Sequence, residues 1–497
     1  MDSNKHKVAS GLFWSYGERI FAQLVSLIVS IILARLLSPE NYGVISIVMI
    51  FITFSDAIVT GGFGNAIVQK KEADELDVNT MFCCSMVVSA MLYAIIYFAA
   101  PFIAKFYQMD IIDPVLKVLG LRLLISGINS IQRAWIQKRM LFRQFFISTL
   151  FGTVLSAVVG IALAYFGAGV WALVAQYLTN SFVNTVVLLF TSDWHPKLNF
   201  SFSRAKALLS YGWKVLLTTI VFTIEGNLRS LIIGKKFGSA DLAYYDQGNK
   251  FPNLLVTNIN STISNVMFPV LAQSQDDLER LKQLSRRAIR VGTYLLTPLL
   301  IGLVAVADTF VCTILTDKWL PCVPYLRILT LVYLVCPFTT TCQQAILSVG
   351  RSDLTLKIMI AINALAIGAL LYSVFVLESV LYIAFSALAV ELVSMLLFSI
   401  NAKRIFAYGF AEQFRDLLPS LMLAGTMGVL TYMIQFLPIN NLLALILQVL
   451  FGAAFYLLGS YAVQSEPFVY LVGMISEKIP NETLKNILLK TIRRKSL

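Results

Sequence analysis

Apolar runs of about 20 residues recur along nearly the whole chain. At 1.5 Å of rise per residue, each is long enough for roughly 30 Å of hydrocarbon. Inside a bilayer the backbone groups of such a run must satisfy one another, which leaves helices or a closed barrel. The period-2 alternation of a membrane barrel is absent, so the sequence predicts an all-α, polytopic membrane protein. Composition agrees: of 497 residues, 58% are hydrophobic and 13% charged, and the mean hydropathy is +0.77, far from that of a soluble domain.

The expected spans are 11–34, 43–62, 80–104, 112–132, 146–166, 169–191, 209–234, 250–272, 289–315, 322–348, 356–376, 379–400, 416–436 and 441–463, which makes about 14 transmembrane helices. The polar stretches between them, the longest being Phe63 to Asn79, Ser192 to Leu208 and Gln273 to Ala288, are too short for a soluble domain. Any chemistry therefore belongs to the bundle. The opening "MDSNKHKVAS" is polar and no small-residue cleavage site follows it, so the first span is expected to be retained.

A net charge of +12 does not indicate nucleic acid here, because the basic residues sit in short loops where orientation accounts for them. With the N-terminus inside, 27 Lys and Arg fall on the inner side and eight on the outer side. That bias predicts a multi-pass protein with both termini cytoplasmic. With residues near span ends counted to the adjoining loop, four of the 39 Lys and Arg remain within spans: Arg19, Arg122, Lys214 and Arg229.

Two stretches about 200 residues apart are alike, "IILARLLSPENYG" (Ile31 to Gly43) and "LIIGKKFGSADLA" (Leu231 to Ala243). Each ends an apolar helix on a basic residue and then turns. An even number of helices between the copies predicts parallel repeats. The expected organisation is a six-helix lobe over 1–205, a second over 206–405, and helices 13 and 14 with a basic cytoplasmic tail over 406–497.

Polar residues recur at helical spacing inside several spans. Ser15, Arg19, Ser26 and Ser30 share one face of the first span, Asn253, Thr257, Asn260 and Ser264 one face of the eighth, and Gln176, Asn180 and Asn184 one face of the sixth. Such stripes either join helices by hydrogen bonds or line a hydrated cavity suited to a hydroxyl-rich, partly anionic cargo.

The charges divide further. Arg122 lies about ten residues into its span, too deep to reach the interface easily. Lys214 lies near the inner end, where snorkelling and a cavity role both remain open. Glu225 and Arg229 are one turn apart, which permits an internal ion pair. Asp56 has no basic neighbour one turn away on its own helix, making it a candidate proton or sodium site. In "FWSYGERIFAQL", Glu18 and Arg19 point about 100° apart, so Arg19 reads as an anion contact and Glu18 as an interhelical partner or proton-linked group.

The six cysteines form no CxxC or Cys/His zinc spacing and read as small packing residues, with pairing of Cys312 and Cys322 left open. No GxxxxGK[ST] motif for nucleotide binding is present. The two histidines, His6 and His195, both fall on the expected cytoplasmic side and suggest no catalytic centre.

The strings "ILARLLSPENYGVISI", "GGFGNAIVQKKEADELD", "GVWALVAQYL", "ADLAYYDQGNKFP", "FPVLAQSQDD" and "KWLPCVPYLRIL" occur in order. In them the chain resembles the Wzx-type bacterial polysaccharide transporters of the multidrug/oligosaccharidyl-lipid/polysaccharide exporter superfamily, over roughly residues 8 to 435. The resemblance implies two pseudo-symmetric six-helix lobes plus two C-terminal helices, and flipping of undecaprenyl-diphosphate-linked oligosaccharide across the bacterial cytoplasmic membrane. It also implies membrane lipids and polysaccharide polymerase and export proteins as partners, and no nucleic acid.

The expected substrate-binding residues are then Arg19, Arg122, Lys214, Arg229, Asn253 and Asn260, with Glu18, Asp56 and Glu225 as coupling-ion or charge-pair groups. No cofactor or metal is expected; energy would come from a proton or sodium gradient or from downstream removal of cargo. The segment Glu225-Gly226-Asn227 departs from the Asn and Tyr that relatives often carry there. A multidrug or lipid II exporter of the same superfamily is the alternative, and a membrane polymerase or ligase the remote one.

Overall fold

Apolar sequence becomes helix throughout the structure, a computed structural model that describes residues 2–70 and 72–478, without some side chains inside helices, Arg19 and Lys214 among them. Among the described residues there is no strand, and twelve helical stretches are long and apolar enough to cross a membrane. A shorter apolar stretch, Phe21–Leu36, belongs to the first helix. Fourteen spans are therefore not reached among the described residues, although the helical order follows the expected runs.

The chain divides into two compact bodies, Met1–Ala243 and Tyr244–Leu497. The first contains α1 (Asp2–Leu36), α2 (Pro39–Gly61), α3 (Phe63–Gln69), α4 (Glu75–Tyr107), α5 (Ile112–Lys138), α6 (Phe142–Tyr165), α7 (Val170–Thr191) and α8 (Phe202–Lys236). Its helix boundaries follow local chemistry. Ser38 is extended before Pro39 at the first turn of α2, where the missing proline N–H costs nothing. Asp74 and Asp77 form a reciprocal capping box at the start of α4. The α6–α7 turn passes through Gly167 and Gly169 at positive φ, which glycine adopts without strain.

Small residues bring the two ends of α2 close to α8 and to the chain just beyond it. A Cβ on Gly212 would lie 2.7 Å from the Gly62 carbonyl oxygen, and one on Gly43 would lie 1.8 Å from the carbonyl oxygen of Ser239. Such approach raises dispersion contact between helices that lipid gives no hydrophobic reason to associate. The two similar stretches thus meet here: both are helix–turn–helix, and Gly43 of one packs on Ser239 of the other. One end of this body is pinned by charge. Asp77, wholly buried, pairs with Lys70 and Arg204, and Lys138 donates to the carbonyls of Ile67 and Lys70.

α9 (Ser239–Ala272) begins in the first body and continues into the second, which then holds α10 (Leu278–Ala305), α11 (Ala307–Phe310), α12 (Val323–Leu334), α13 (Cys336–Ser348), α14 (Ser352–Phe375), α15 (Val380–Phe406), α16 (Phe410–Met433), α17 (Asn441–Val463) and α18 (Glu466–Lys478). Asp277, Ser379 and Asn440 cap α10, α15 and α17 with their side chains. The buried Asp416 carboxylate joins α16 to α10: Arg286 Nε and Nη2 donate to it at 2.5 and 2.7 Å, Arg290 donates as well, and Tyr408 Oη adds a bond at 2.9 Å. Tyr294, Ala424, Met427 and Tyr456 form an apolar core beside it, with Phe468 and Leu471 of α18 packed on its edge.

Candidate functional site

The first body gathers charge where its helices are otherwise apolar. Asp56 lies in the second half of α2 and Arg122 in the first half of α5, and Arg122 Nη2 stands 3.9 Å from Asp56 Oδ2, each side chain about one-quarter exposed. At that distance the charges attract without a hydrogen bond. Arg122 Nη1 instead rests against Met49 Sδ at 3.9 Å. Arg122 Nε and Asp56 Oδ1 are both buried without a hydrogen-bond partner. The pair is charge-balanced but under-bonded, so its guanidinium retains donor capacity for an anion. Tyr177 of α7 lies within electrostatic range of Arg122. The sequence showed Asp56 and Arg122 separately; neither their meeting nor Met49 and Tyr177 beside them carried a local signal.

Glu18 of α1 faces α6, where Thr149 Oγ1 donates to Glu18 Oε1 at 2.9 Å. The carboxylate thus sits in the α1–α6 contact. The side chains of Arg19 and Lys214 lie outside the described residues.

Glu225 and Arg229 follow one another on α8; Glu225 is exposed and Arg229 half-buried, with no ion pair between them among the described residues. Asn253 is exposed on α9 and accepts from Thr257 Oγ1 at 2.6 Å. Asn260, two turns on, has a buried Oδ1 without a partner, and its side chain lies beside Cys336. Nearby in the same body Thr339 Oγ1 donates to Glu391 Oε1 at 3.1 Å, holding a carboxylate near the middle of α15.

The stripe on α7 serves packing. Asn180 Nδ2 donates to Ser156 Oγ of α6 at 3.4 Å, and Asn184 and Gln176 press on Gly152 and Gly160. Asp308 pairs with Arg327. All six cysteines are free thiols.

Among curated proteins, the chain is 22% identical to "Teichuronic acid biosynthesis protein TuaB" of Bacillus subtilis (strain 168), over 87% of this chain and 90% of that one. It is 24% identical to "Succinoglycan biosynthesis transport protein ExoT" of Rhizobium meliloti (strain 1021), over 66% of each. Among solved structures, that of "Lipid II flippase MurJ, inward closed conformation" superposes with a TM-score of 0.73 over 91% of this chain and 98% of that one, at 14% identity. That likeness establishes a shared fold. Residues 32–324, more than half of the chain, match the family model described as "Polysaccharide biosynthesis protein", and the chain belongs to that family.

Proposed function

We propose that the chain is a transporter, not an enzyme, that flips undecaprenyl-diphosphate-linked oligosaccharide from the inner to the outer leaflet of a bacterial cytoplasmic membrane by alternating access, for surface polysaccharide biosynthesis. The observation that carries this reading is Arg122, a membrane-embedded cation beside Asp56 with an unbonded Nε. An ionised group at that depth is costly unless it is used. A diphosphate supplies the oxygens that a guanidinium binds best, while a prenyl tail can remain in lipid. Membership of a polysaccharide biosynthesis family and the relatives' names, a transport protein and a lipid II flippase among them, support a lipid-linked cargo.

In this reading Arg19, Arg122, Lys214 and Arg229 engage the diphosphate and acidic sugars, and Asn253 and Asn260 meet sugar hydroxyls. Glu18, Asp56 and Glu225 are the groups through which a proton or sodium gradient acts; removal of cargo by the polysaccharide polymerase and export proteins is the other source of drive. Both termini lie in the cytoplasm, by the distribution of Lys and Arg.

Mass spectrometry of prenyl-linked saccharides in a deletion strain tests the proposal. One inner-leaflet intermediate is expected to accumulate and to disappear on complementation with the wild-type chain but not with Arg122→Gln. In proteoliposomes, the purified chain should move a labelled lipid-linked saccharide and leave a fluorescent organic cation in place. The reverse selectivity would establish the multidrug alternative instead.

A further inference from the structure

We infer that Arg133 and Arg143, with the aromatic rings beneath them, form a binding site for the headgroup of an anionic phospholipid at the turn between α5 and α6. The site is separate from Arg122 and does not depend on the transport reading.

Part of the charge at this end of the first body is already taken up. Lys70 pairs with Asp77, Lys197 with Glu75, and Arg204 with Asp74 and Asp77, while Lys138 is taken up by two backbone carbonyls. Arg133 and Arg143 are exposed and have no carboxylate within ion-pair distance among the described residues. Each lies over a ring instead: Arg133 is 5.5 Å from the centroid of Phe145, and Arg143 is 5.9 Å from that of Trp14. Both contacts lie at the start of α6, where Arg143 and Phe145 belong to the first turn and Trp14 packs on Phe146 at 5.3 Å. Arg139 repeats the arrangement on Trp135 at 3.9 Å. A cation over a ring gains attraction without neutralisation and keeps N–H donors for an anion.

The turn that presents them is tightly made. Met140 takes φ 57°, and Leu141 N–H donates to the Ile136 carbonyl at 3.0 Å, so the end of α5 and the start of α6 are held together.

The occupant follows from what adjoins the arginines. Phe151, Val154, Leu155 and Val158 are all exposed on α6, and at 100° per residue Val154 lies almost directly below Arg143 on the helix surface. A phosphate at the turn thus continues into an apolar track along the span. This matches a phospholipid, with its phosphodiester at the membrane surface and its acyl chains along the helix, better than a soluble anion. Basic sites between helices on the cytoplasmic side, where charge bias puts this turn, meet the leaflet richest in anionic lipid.

The test titrates the full-length chain, purified in neutral detergent, with phosphatidylglycerol, phosphatidylcholine or inorganic phosphate, and reads bound lipid by native mass spectrometry. Phosphatidylglycerol should be retained and the other two not. The double variant Arg133→Gln/Arg143→Gln should bind it roughly 30-fold more weakly, about fivefold for each basic residue lost. Arg351→Gln, which removes an exposed arginine already paired with Asp353, should bind as wild type does. If the Gln variant fails to fold, Arg133→Lys/Arg143→Lys keeps the charge and loses the planar fork, and its affinity should fall between the two. Equal retention of phosphatidylcholine, unchanged binding by the substituted chains, or comparable retention of inorganic phosphate would overturn the proposal; none of these outcomes touches the flipping of a lipid-linked saccharide.

Discussion

Arg122 reaches from α5 to within 3.9 Å of Asp56 on α2 and yet donates no hydrogen bond to it. Removing one member leaves the other charged and unpaired in the bundle, whereas removing both does not. Arg122→Gln and Asp56→Asn should each cost about 2 kcal/mol of stability, while the double variant should recover most of that loss. Thermal unfolding in detergent measures the cycle. Transport should behave differently: in the proposed function the double variant, stable again, should still fail to flip cargo, because it lacks the cation proposed to meet the diphosphate. Recovery of both properties together would reduce the pair to a structural tie.

Glu18 permits a sharper separation of roles. Its Oε1 accepts from Thr149, and the carbonyl oxygen of a glutamine accepts equally well. Glu18→Gln should therefore fold as wild type does, whereas Glu18→Ala and Thr149→Val should each lose about 1 kcal/mol. If Glu18 also carries a proton during transport, Glu18→Gln alone should flatten the pH dependence of flipping in proteoliposomes. A pH profile unchanged in that variant leaves Glu18 as a helix-joining group only.

These two sites show where sequence reading stops. Run length and hydropathy made the helices legible, since a membrane span must satisfy its backbone locally. Asp56, Arg122 and Glu18 were visible as charges out of place. Their partners were not, because Met49, Thr149 and Tyr177 are ordinary residues in their own helices and become neighbours only through packing. The α7 stripe of Gln176, Asn180 and Asn184 had two readings with the same periodicity, and only Gly152, Gly160 and Ser156 across the contact distinguish them. Asp416 opens the expected span 416–436, Arg286 lies in the polar stretch Gln273 to Ala288 and Arg290 at the start of the expected span 289–315; 130 residues separate Arg286 from the carboxylate it binds.

Asp416 should be among the costliest side chains to remove. Its carboxylate is buried and accepts from Arg286, Arg290 and Tyr408, so Asp416→Ala leaves two guanidinium groups and a phenol short of their acceptor. A loss of about 3 to 5 kcal/mol is expected, seen as a large fall in melting temperature and in membrane yield. Asp416→Glu should recover part of it, since the charge is kept and only the geometry shifts.

Gly43 is fixed by backbone rather than by a side chain. A Cβ there would stand 1.8 Å from the Ser239 carbonyl oxygen, so Gly43→Ala forces α2 away from the start of α9. The expected cost is about 1 to 3 kcal/mol. Shortening Ser239 to glycine should not rescue it, because the clash is with main-chain atoms; rescue by Ser239→Gly would show that the contact is not this close.

Acid should weaken the charged end of the first body in a defined order. Hydrogen bonding from Arg204, and then from the Asp77 backbone, pushes the Asp74 carboxyl down to about 2. Its folded value is below its unfolded one, near 4, so the contribution is complete above the unfolded value and is lost as pH falls toward the folded one. Asp74 and Arg204 are both partly exposed, so the contribution is small and screened by salt. The melting difference between wild type and Asp74→Asn should hold steady from pH 7 to about 5 and close between about 4 and 2. High salt should narrow it at neutral pH; a difference that widens on acidification would mean that Asp74 is held by groups other than Arg204.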